Sequence, residues 1–383
     1  MRSWPASLGP ARWAPVALTV VIHAPAPLAE LLEALTATAR VVRLPLRVPF
    51  RGLSHREVLL SKTPGGWVEF SPFLEYDPQE SARWLRATLT LIQDANPDLR
   101  GPFPPLPHVS PGHRVEVNAT IPAVDVSADP QAIDTLMARY PGCTTVKIKV
   151  AERGGGQPFP EQLGADLRRV AAVRQHYAER GVSNPRIRVD ANAGWSVDQA
   201  CTALSALAEQ GPLDYAEQPC GTTAELAELR ARLARRQVPV RIAADELIRK
   251  AADPYAVVRA GACDVAVVKV APLGGVDQVC RIAQGIAEYG VDLTVSSALE
   301  TAVGMTAGLR AAAAIGSAAA GLATGSLFCR DVAARPICDG SLPLESGAVD
   351  MGVINKYEAS PNRLTWWLNR VRAAAEHVRI DTE

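Results

Sequence analysis

The stretch CTTVKIKV, Cys143 to Val150, sets two ammonium groups two residues apart inside an otherwise apolar, β-branched run. Successive side chains of a strand alternate between faces, so Lys147 and Lys149 share one face and Val146, Ile148 and Val150 the other. An edge strand with wet lysines accounts for such a pattern, and so does a strand that faces a catalytic pocket. Farther along, acids close three more short β-rich runs: Asp190 ends RIRVD, Glu217 ends LDYAE and Asp245 ends VRIAAD, each about one βα unit after the last. Lys269 closes the next run, DVAVVK. Any one of these acids is explained by a helix cap or an arginine partner. Three in succession, each at the same place in its unit, point to one shared site.

Converging carboxylates without a counter-charge raise one another's pKa. A hard divalent cation, Mg²⁺ with Mn²⁺ as the alternative, relieves this by taking oxygen ligands while leaving positions for water or substrate. A lysine crowded by a second cation gives up its proton more readily, so Lys147 beside Lys149 favours a base near neutral pH, with Lys269 approaching from the opposite side. That combination suits removal of a proton α to a carboxylate, the metal stabilising the charge that develops.

The elements that must hold these groups alternate. From about Arg114 onward, β-rich runs (RVEVNATI, TTVKIKV, RIRVDAN, LDYAEQP, VRIAADE, DVAVVKV, VDLTVSSA and AGLATG) are separated by amphipathic helical stretches, several opened by cap residues such as Ser196 and Thr222. Eight strands and seven intervening helices predict a parallel (β/α) barrel, and no GxGxxG follows the first strand to suggest an open dinucleotide-binding sheet. Before it, VRLPLRVPF, REVLLSKT and WVEFSPF read as strands, two of them a hairpin around PGG, followed by a helix over 77–93 and a proline-rich break, NPDLRGPFPPLP. The stretch RLTWWLNRVRAAAEHV reads as a last helix packing back. The expected organisation is an extension over 1–40, disordered or translated from an over-long start, an α+β cap over 41–110, the barrel over 111–330 and a returning segment over 331–383.

The bulk composition narrows the partners. Forty basic and forty acidic side chains cancel among 383 residues, with no block of like charge, so neither nucleic acid nor a membrane surface is expected. Seven cysteines without CxxC spacing fit reduced thiols in a cytoplasm; a short apolar run at 16–22, broken by prolines, is too weak a secretory signal to displace that reading. The expected partner is a small carboxylate substrate. Trp195 in AGWS reads as packing rather than as a pocket wall, Cys220 as a small filler, and the glycines at 154–156 as a mobile linker without phosphate-loop chemistry.

The string VKIKV, VDANAGWS, AEQP, AADE and VKVAPLGG, in that order, resembles the muconate-lactonising subgroup of the enolase superfamily, whose sites pair a lysine base with Mg²⁺. Within it, VPFRGLSHREVLL, GWVEFSPFLEYDPQE, SSALET and GLATGSLF are similar to the o-succinylbenzoate synthases of menaquinone-making actinobacteria, from about Val41 to the end of the barrel. The resemblance implies a (β/α)7β barrel with an α+β cap built from the N-terminal part and the C-terminal tail. It implies Lys149 as the base, Lys147 as its tuning partner and Lys269 as the opposite lysine that steadies the enediolate. It further implies Asp190, Glu217 and Asp245 as metal ligands, Asn192 behind them, and Ser296, Ser297, Gly325, Arg51 and His55 around the substrate. The implied reaction is syn-dehydration of a succinyl-cyclohexadiene carboxylate. Lysines on both sides equally serve a two-base racemase of N-succinyl amino acids or a dipeptide epimerase, and FRGLSHRE with SSALET favours the dehydratase. A barrel whose acids merely hold a structural ion is the remaining reading, and the presence of all three lysines counts against it.

Overall fold

The computed structural model describes residues 26–50, 52–99, 101–152, 156–249 and 253–380. The chain opens with helix α1 (Ala26–Thr36), then strands β1 (Arg40–Phe50), β2 (Leu53–Thr63) and β3 (Gly66–Phe70), which pair antiparallel in that order. Thr63 lies opposite Gly66, so β2 and β3 form the hairpin expected around PGG. Helix α2 (Pro78–Ala95) starts where Asp77 accepts the Glu80 N–H at 2.7 Å, with proline at the first turn.

The expectation that residues 1–40 form an extension is corrected over its last part. Leu28, Leu31, Leu32 and Leu35 of α1 recur at helical spacing and are buried with Val42, Leu44, Leu85 and Leu89 in the core of this N-terminal layer. Residues 1–25 lie outside the described set, as do Arg51 and most of the glycine linker at 153–155.

After the proline-rich stretch the run RVEVNATI breaks in two. Strand β4 (Arg114–Glu116) pairs with a late strand over 341–343, and β5 (Ala119–Ile121) begins the barrel. Next come α3 (Ala132–Met137), β6 (Thr145–Lys149), α4 (Phe159–Glu179), β7 (Arg186–Asp190), α5 (Val197–Glu209), β8 (Tyr215–Glu217), α6 (Thr223–Arg235) and β9 (Ile242–Ala244). The short helices α7 (Glu246–Arg249) and α8 (Ala256–Arg259) lead to β10 (Val265–Lys269), α9 (Val270–Leu273), α10 (Val276–Ala287), β11 (Asp292–Ser296) and α11 (Met305–Ile315). Ser196 with Gln199, and Thr222 with Glu225, close capping boxes that fix where α5 and α6 begin.

Seven strands, β5 to β11, form one parallel sheet in chain order. The eighth, AGLATG, is reduced to two bridges: Ala320 with Val117 and Gly321 with Ser296. These join the first strand to the last and close a (β/α)7β barrel. Tyr215, Ala243, Val265 and Val267 fill its interior, together with fully buried Arg188, whose guanidinium lies 4.7 Å from the Tyr215 ring centroid. Alternate residues such as Val146, Ile148, Val189 and Val268 pack outward against the helices.

The chain ends with β12 (Ser341–Pro343), the partner of β4, then α12 (Met351–Tyr357) and α13 (Pro361–Ala375). Trp367 of α13 is fully buried, edge-on to Phe70 with ring centroids 5.9 Å apart, so the tail returns to the N-terminal layer. Between that layer and the barrel, Arg86 of α2 donates to both oxygens of Asp277 on α10, at 2.9 and 2.8 Å, and to the Gly274 carbonyl at 2.8 Å. Gly274 and Gly275, at φ of 99° and 133°, allow the reversal after α9 that presents this carbonyl. Both charges of the pair are buried. Replacing Arg86 by alanine leaves the buried Asp277 carboxylate to the half-exposed Arg281, 3.2 Å away, and is expected to destabilise the protein by up to about 3 kcal/mol in urea unfolding, whereas an apolar replacement of both partners costs less.

Candidate active site

Strand register explains why residues distant in sequence meet. Lys149 lies opposite Asp190, Asp190 opposite Glu217, and Lys269 opposite Ser296. In a parallel sheet such partners share a face, and Lys147 lies two residues before Lys149 on the same face. Asp245 comes directly after β9, two residues beyond Ala243, the partner of Glu217. All point into the barrel at the C-terminal ends of its strands, where a cavity of about 630 Å³ opens.

Within it the charges are matched. Lys147 Nζ donates to both oxygens of Glu217 at 2.9 Å and lies 3.3 Å from Asp190; Lys149 Nζ donates to Asp190 at 2.5 Å and to Asn192 Oδ1 at 2.7 Å; Lys269 Nζ pairs with Asp245. Asn192, held at φ 44°, also takes its backbone N–H to Asp190 and its side-chain amide to Glu246. Burial alone would push the Lys147 ammonium down, but Glu217 and Asp190 outweigh it and hold Lys147 well above its ordinary value. Burial likewise opposes ionisation of Asp190, and Lys149 and Lys147 overcome it, leaving that carboxyl well below the usual range. Glu217 goes the other way: burial and the neighbouring Asp190 push it up from the usual carboxylate range.

As these side chains stand, no group of three His, Cys, Asp or Glu among the described residues surrounds a point as ligands would, because each carboxylate is turned to a lysine. The donor set itself fits a hard divalent cation: three carboxylates on neighbouring strands at one barrel mouth, with an open cavity before them. A cation taken up there replaces ammonium partners by a stronger positive charge, so the residues that would hold it are Asp190, Glu217 and Asp245.

Of the expected substrate contacts, Ser296 and Ser297 border the cavity, but Ser297 Oγ is already committed. It donates to Glu300 at 2.6 Å and accepts from the Leu299 N–H and Thr324 Oγ1, both at 2.8 Å, which fills a hydroxyl's capacity. Gly325 sits in a short 3₁₀ turn, 324–327, whose Thr324 and Leu327 line the cavity in its place. His55, on β2, pairs with Ser54 and does not line it, and Arg51 lies outside the described residues. Trp195 and Cys220 are buried in the barrel's outer core, as packing residues.

Several contributors had no sequence signal strong enough to single them out. Phe73 and Tyr76, after β3, form an apolar wall over the mouth, with Pro122, Ala123 and Val150 from the barrel. Gln218, in the AEQP stretch and at φ 39°, accepts the Asp245 N–H through Oε1 at 3.0 Å and so orients the next acid.

This barrel, with lysines on two walls, acids between them and an α+β layer above, defines a protein of the enolase superfamily. Two family models match: Enolase C-terminal domain-like over residues 132–352 and Enolase N-terminal domain-like over 41–91. A muconate cycloisomerase variant shares the fold with a TM-score of 0.62 at 20% identity, covering 84% of this chain and 98% of that one. An N-succinyl Arg/Lys racemase from Bacillus cereus does so with a TM-score of 0.60 at 19% identity, over 84% and 98%. Nearer in sequence are the o-succinylbenzoate synthases of Mycobacterium ulcerans, 47% identical over 92% of this chain and 97% of the relative, and of Mycobacterium tuberculosis, 46% identical over 89% and 95%. The chain belongs to the o-succinylbenzoate synthase family.

Because burial and Asp190 push Glu217 up to about 7 and it must be ionised to ligate, divalent-cation affinity is expected to fall as pH drops below neutrality, by up to about ten-fold per pH unit where one proton is displaced. Calorimetry in buffers of different ionisation enthalpy reads that proton release directly; a pH-independent affinity would speak against Glu217 as a ligand.

Proposed function

We propose that the protein is an o-succinylbenzoate synthase, a lyase that removes water from 2-succinyl-6-hydroxy-2,4-cyclohexadiene-1-carboxylate in the cytoplasm, on the route to menaquinone. The observation that carries this is the meeting of Lys147 and Lys149 with Lys269 across a cavity bounded by Asp190, Glu217 and Asp245, in a chain nearly half identical to synthases along almost its whole length. Free thiols at all seven cysteines support the location. Among the described residues, no helix is long and apolar enough to cross a membrane.

The chain's own groups divide the work. Lys149, relieved of Asp190, is the group placed to take the proton, with Lys147 beside it on the same face of the strand. The C1–H bond breaks towards Lys149 Nζ, the C1–C6 double bond forms as the C6–OH bond breaks, and the same ammonium returns the proton to the departing hydroxyl, which leaves as water. One base serving both steps requires hydrogen and hydroxyl on the same face of the ring, a syn elimination. Lys269, on the opposite wall, carries a positive charge towards the other face of the ring while negative charge develops in it. Bound by Asp190, Glu217 and Asp245, a Mg²⁺ ion would withdraw electron density from the substrate carboxylate and acidify the neighbouring C–H. Phe73, Tyr76 and Pro122 exclude water from the ring.

A second reading, racemisation of N-succinyl amino acids, has in its favour the same two opposed lysines, one able to deliver a proton to the face opposite the one attacked. Purified protein with Mg²⁺ is expected to convert the cyclohexadiene substrate to o-succinylbenzoate, followed by ultraviolet absorbance, and EDTA is expected to stop it. Lys149→Ala is expected to lose at least about 10²-fold in kcat, the scale of a lost general acid–base group, and Lys269→Ala about 10²-fold, the scale of a lost electrostatic stabiliser. Turnover of N-succinyl amino acids alone, read by optical rotation, would decide for the racemase.

A further inference from the structure

Where the seventh barrel strand ends, two buried charged side chains of the N-terminal layer reach across. Glu69 of β3 accepts through Oε2 from the N–H groups of Thr301 at 3.1 Å and Gly304 at 3.2 Å and from the Thr301 hydroxyl, while Oε1 accepts from Ser71 Oγ at 2.5 Å. Arg56 of β2 donates from Nε to the Leu299 carbonyl at 3.1 Å and from Nη2 to the Ser71 carbonyl, its guanidinium 4.3 Å from the Phe73 ring centroid. The donors on Thr301 and Gly304 lie in the approach to α11 and have no intrahelical acceptor, so Glu69 ties that segment to the N-terminal layer, while Asp331, accepting the Ala302 N–H, and Arg335, donating to the Ala302 carbonyl, hold it from the barrel side. Both side chains are nearly inaccessible, and a buried charge holds its partners firmly because releasing them is costly.

The same two side chains thus hold opposite walls of the cavity. Ser296, Ser297 and Ala298 form one wall just before the segment that Glu69 and Arg56 grip; Phe73 and Tyr76 form the other, just after Ser71. We infer that Glu69, with Arg56, is a positioning residue for substrate fit, fixing the separation between the barrel wall at 296–298 and the apolar wall at 73–76. Neither touches the cavity, and their influence runs through the segments they clamp. The inference rests on the dehydratase reading for the identity of the substrate.

Gly304 offers an independent way to disturb this clamp. Its φ of −67° suits alanine, but a β-carbon there would stand 2.6 Å from Glu69 Cδ and 2.7 Å from its Oε2. Gly304→Ala therefore pushes the carboxylate away while leaving every charge in place. The test compares Glu69→Ala, Glu69→Gln and Gly304→Ala by steady-state dehydration, by the pH profile of kcat, and by calorimetric binding of o-succinylbenzoate. In Glu69→Ala and Gly304→Ala, KM and the product's dissociation constant are expected to rise about ten-fold, within the loss that a misplacement of about 1 Å can cause. Glu69→Gln, which keeps one acceptor oxygen, is expected to recover part of the loss, and the pH profile is expected to stay unchanged. Wild-type KM and product affinity in folded Gly304→Ala would overturn the inference, as would a shifted pH profile, which would put Glu69 in the proton chemistry. Should Glu69→Ala fail to fold, Gly304→Ala and Glu69→Gln decide alone. Failure of the wild-type protein to dehydrate would overturn the dehydratase reading instead, and product binding by the variants would still test the clamp.

Discussion

Three carboxylates buried at one end of the barrel, met by one buried and two part-buried ammonium groups, constrain everything around them. Lys147 with Glu217, Lys149 with Asp190, and Lys269 with Asp245 are tolerable in that setting because each charge has an opposite one within reach. The balance is poised. A divalent cation on the acids would take over the partners of the lysines and leave those side chains facing the cavity. The same pairs would have to open for a cation to reach the acids.

The barrel supplies the coincidence of positions and the N-terminal layer supplies the enclosure. Strand register sets Lys149, Asp190 and Glu217 side by side, and the Gln218 side chain, accepting the Asp245 N–H, fixes the backbone that carries the third acid. The returning helix α13, anchored by Trp367, and the Arg86–Asp277 pair fix the layer over the barrel mouth. Phe73 and Tyr76 can then close the cavity with apolar surface where a ring substrate would otherwise meet water. Such a division lets the substrate wall vary while the charged floor stays fixed.

Much of the floor was legible in sequence because strand periodicity is short and rigid. A lysine two residues from another must share its face, and an acid at the end of each successive β-rich run must come to the same barrel mouth. The substrate wall was less legible. Ser297 matched a substrate-holding stretch, yet its hydroxyl is consumed by Glu300, Leu299 and Thr324, a matter of loop geometry that residue type does not encode. His55 and Gly325 matched in the same way and lie off the cavity lining. The leucines of α1 carried a clear helical spacing, and only their burial against the N-terminal sheet distinguishes a packed helix from a loose extension.

By itself, the amino-acid sequence determined which groups could do chemistry and on which face of which strand each would lie, since alternation along a strand is a local property of the backbone. Tertiary structure alone decided which lysine pairs with which acid, that AGLATG closes the barrel through two bridges rather than a full strand, and that Glu69 and Arg56 grip a loop more than 200 residues away. Those are contacts between distant segments, and their partners exist only once the whole chain has packed.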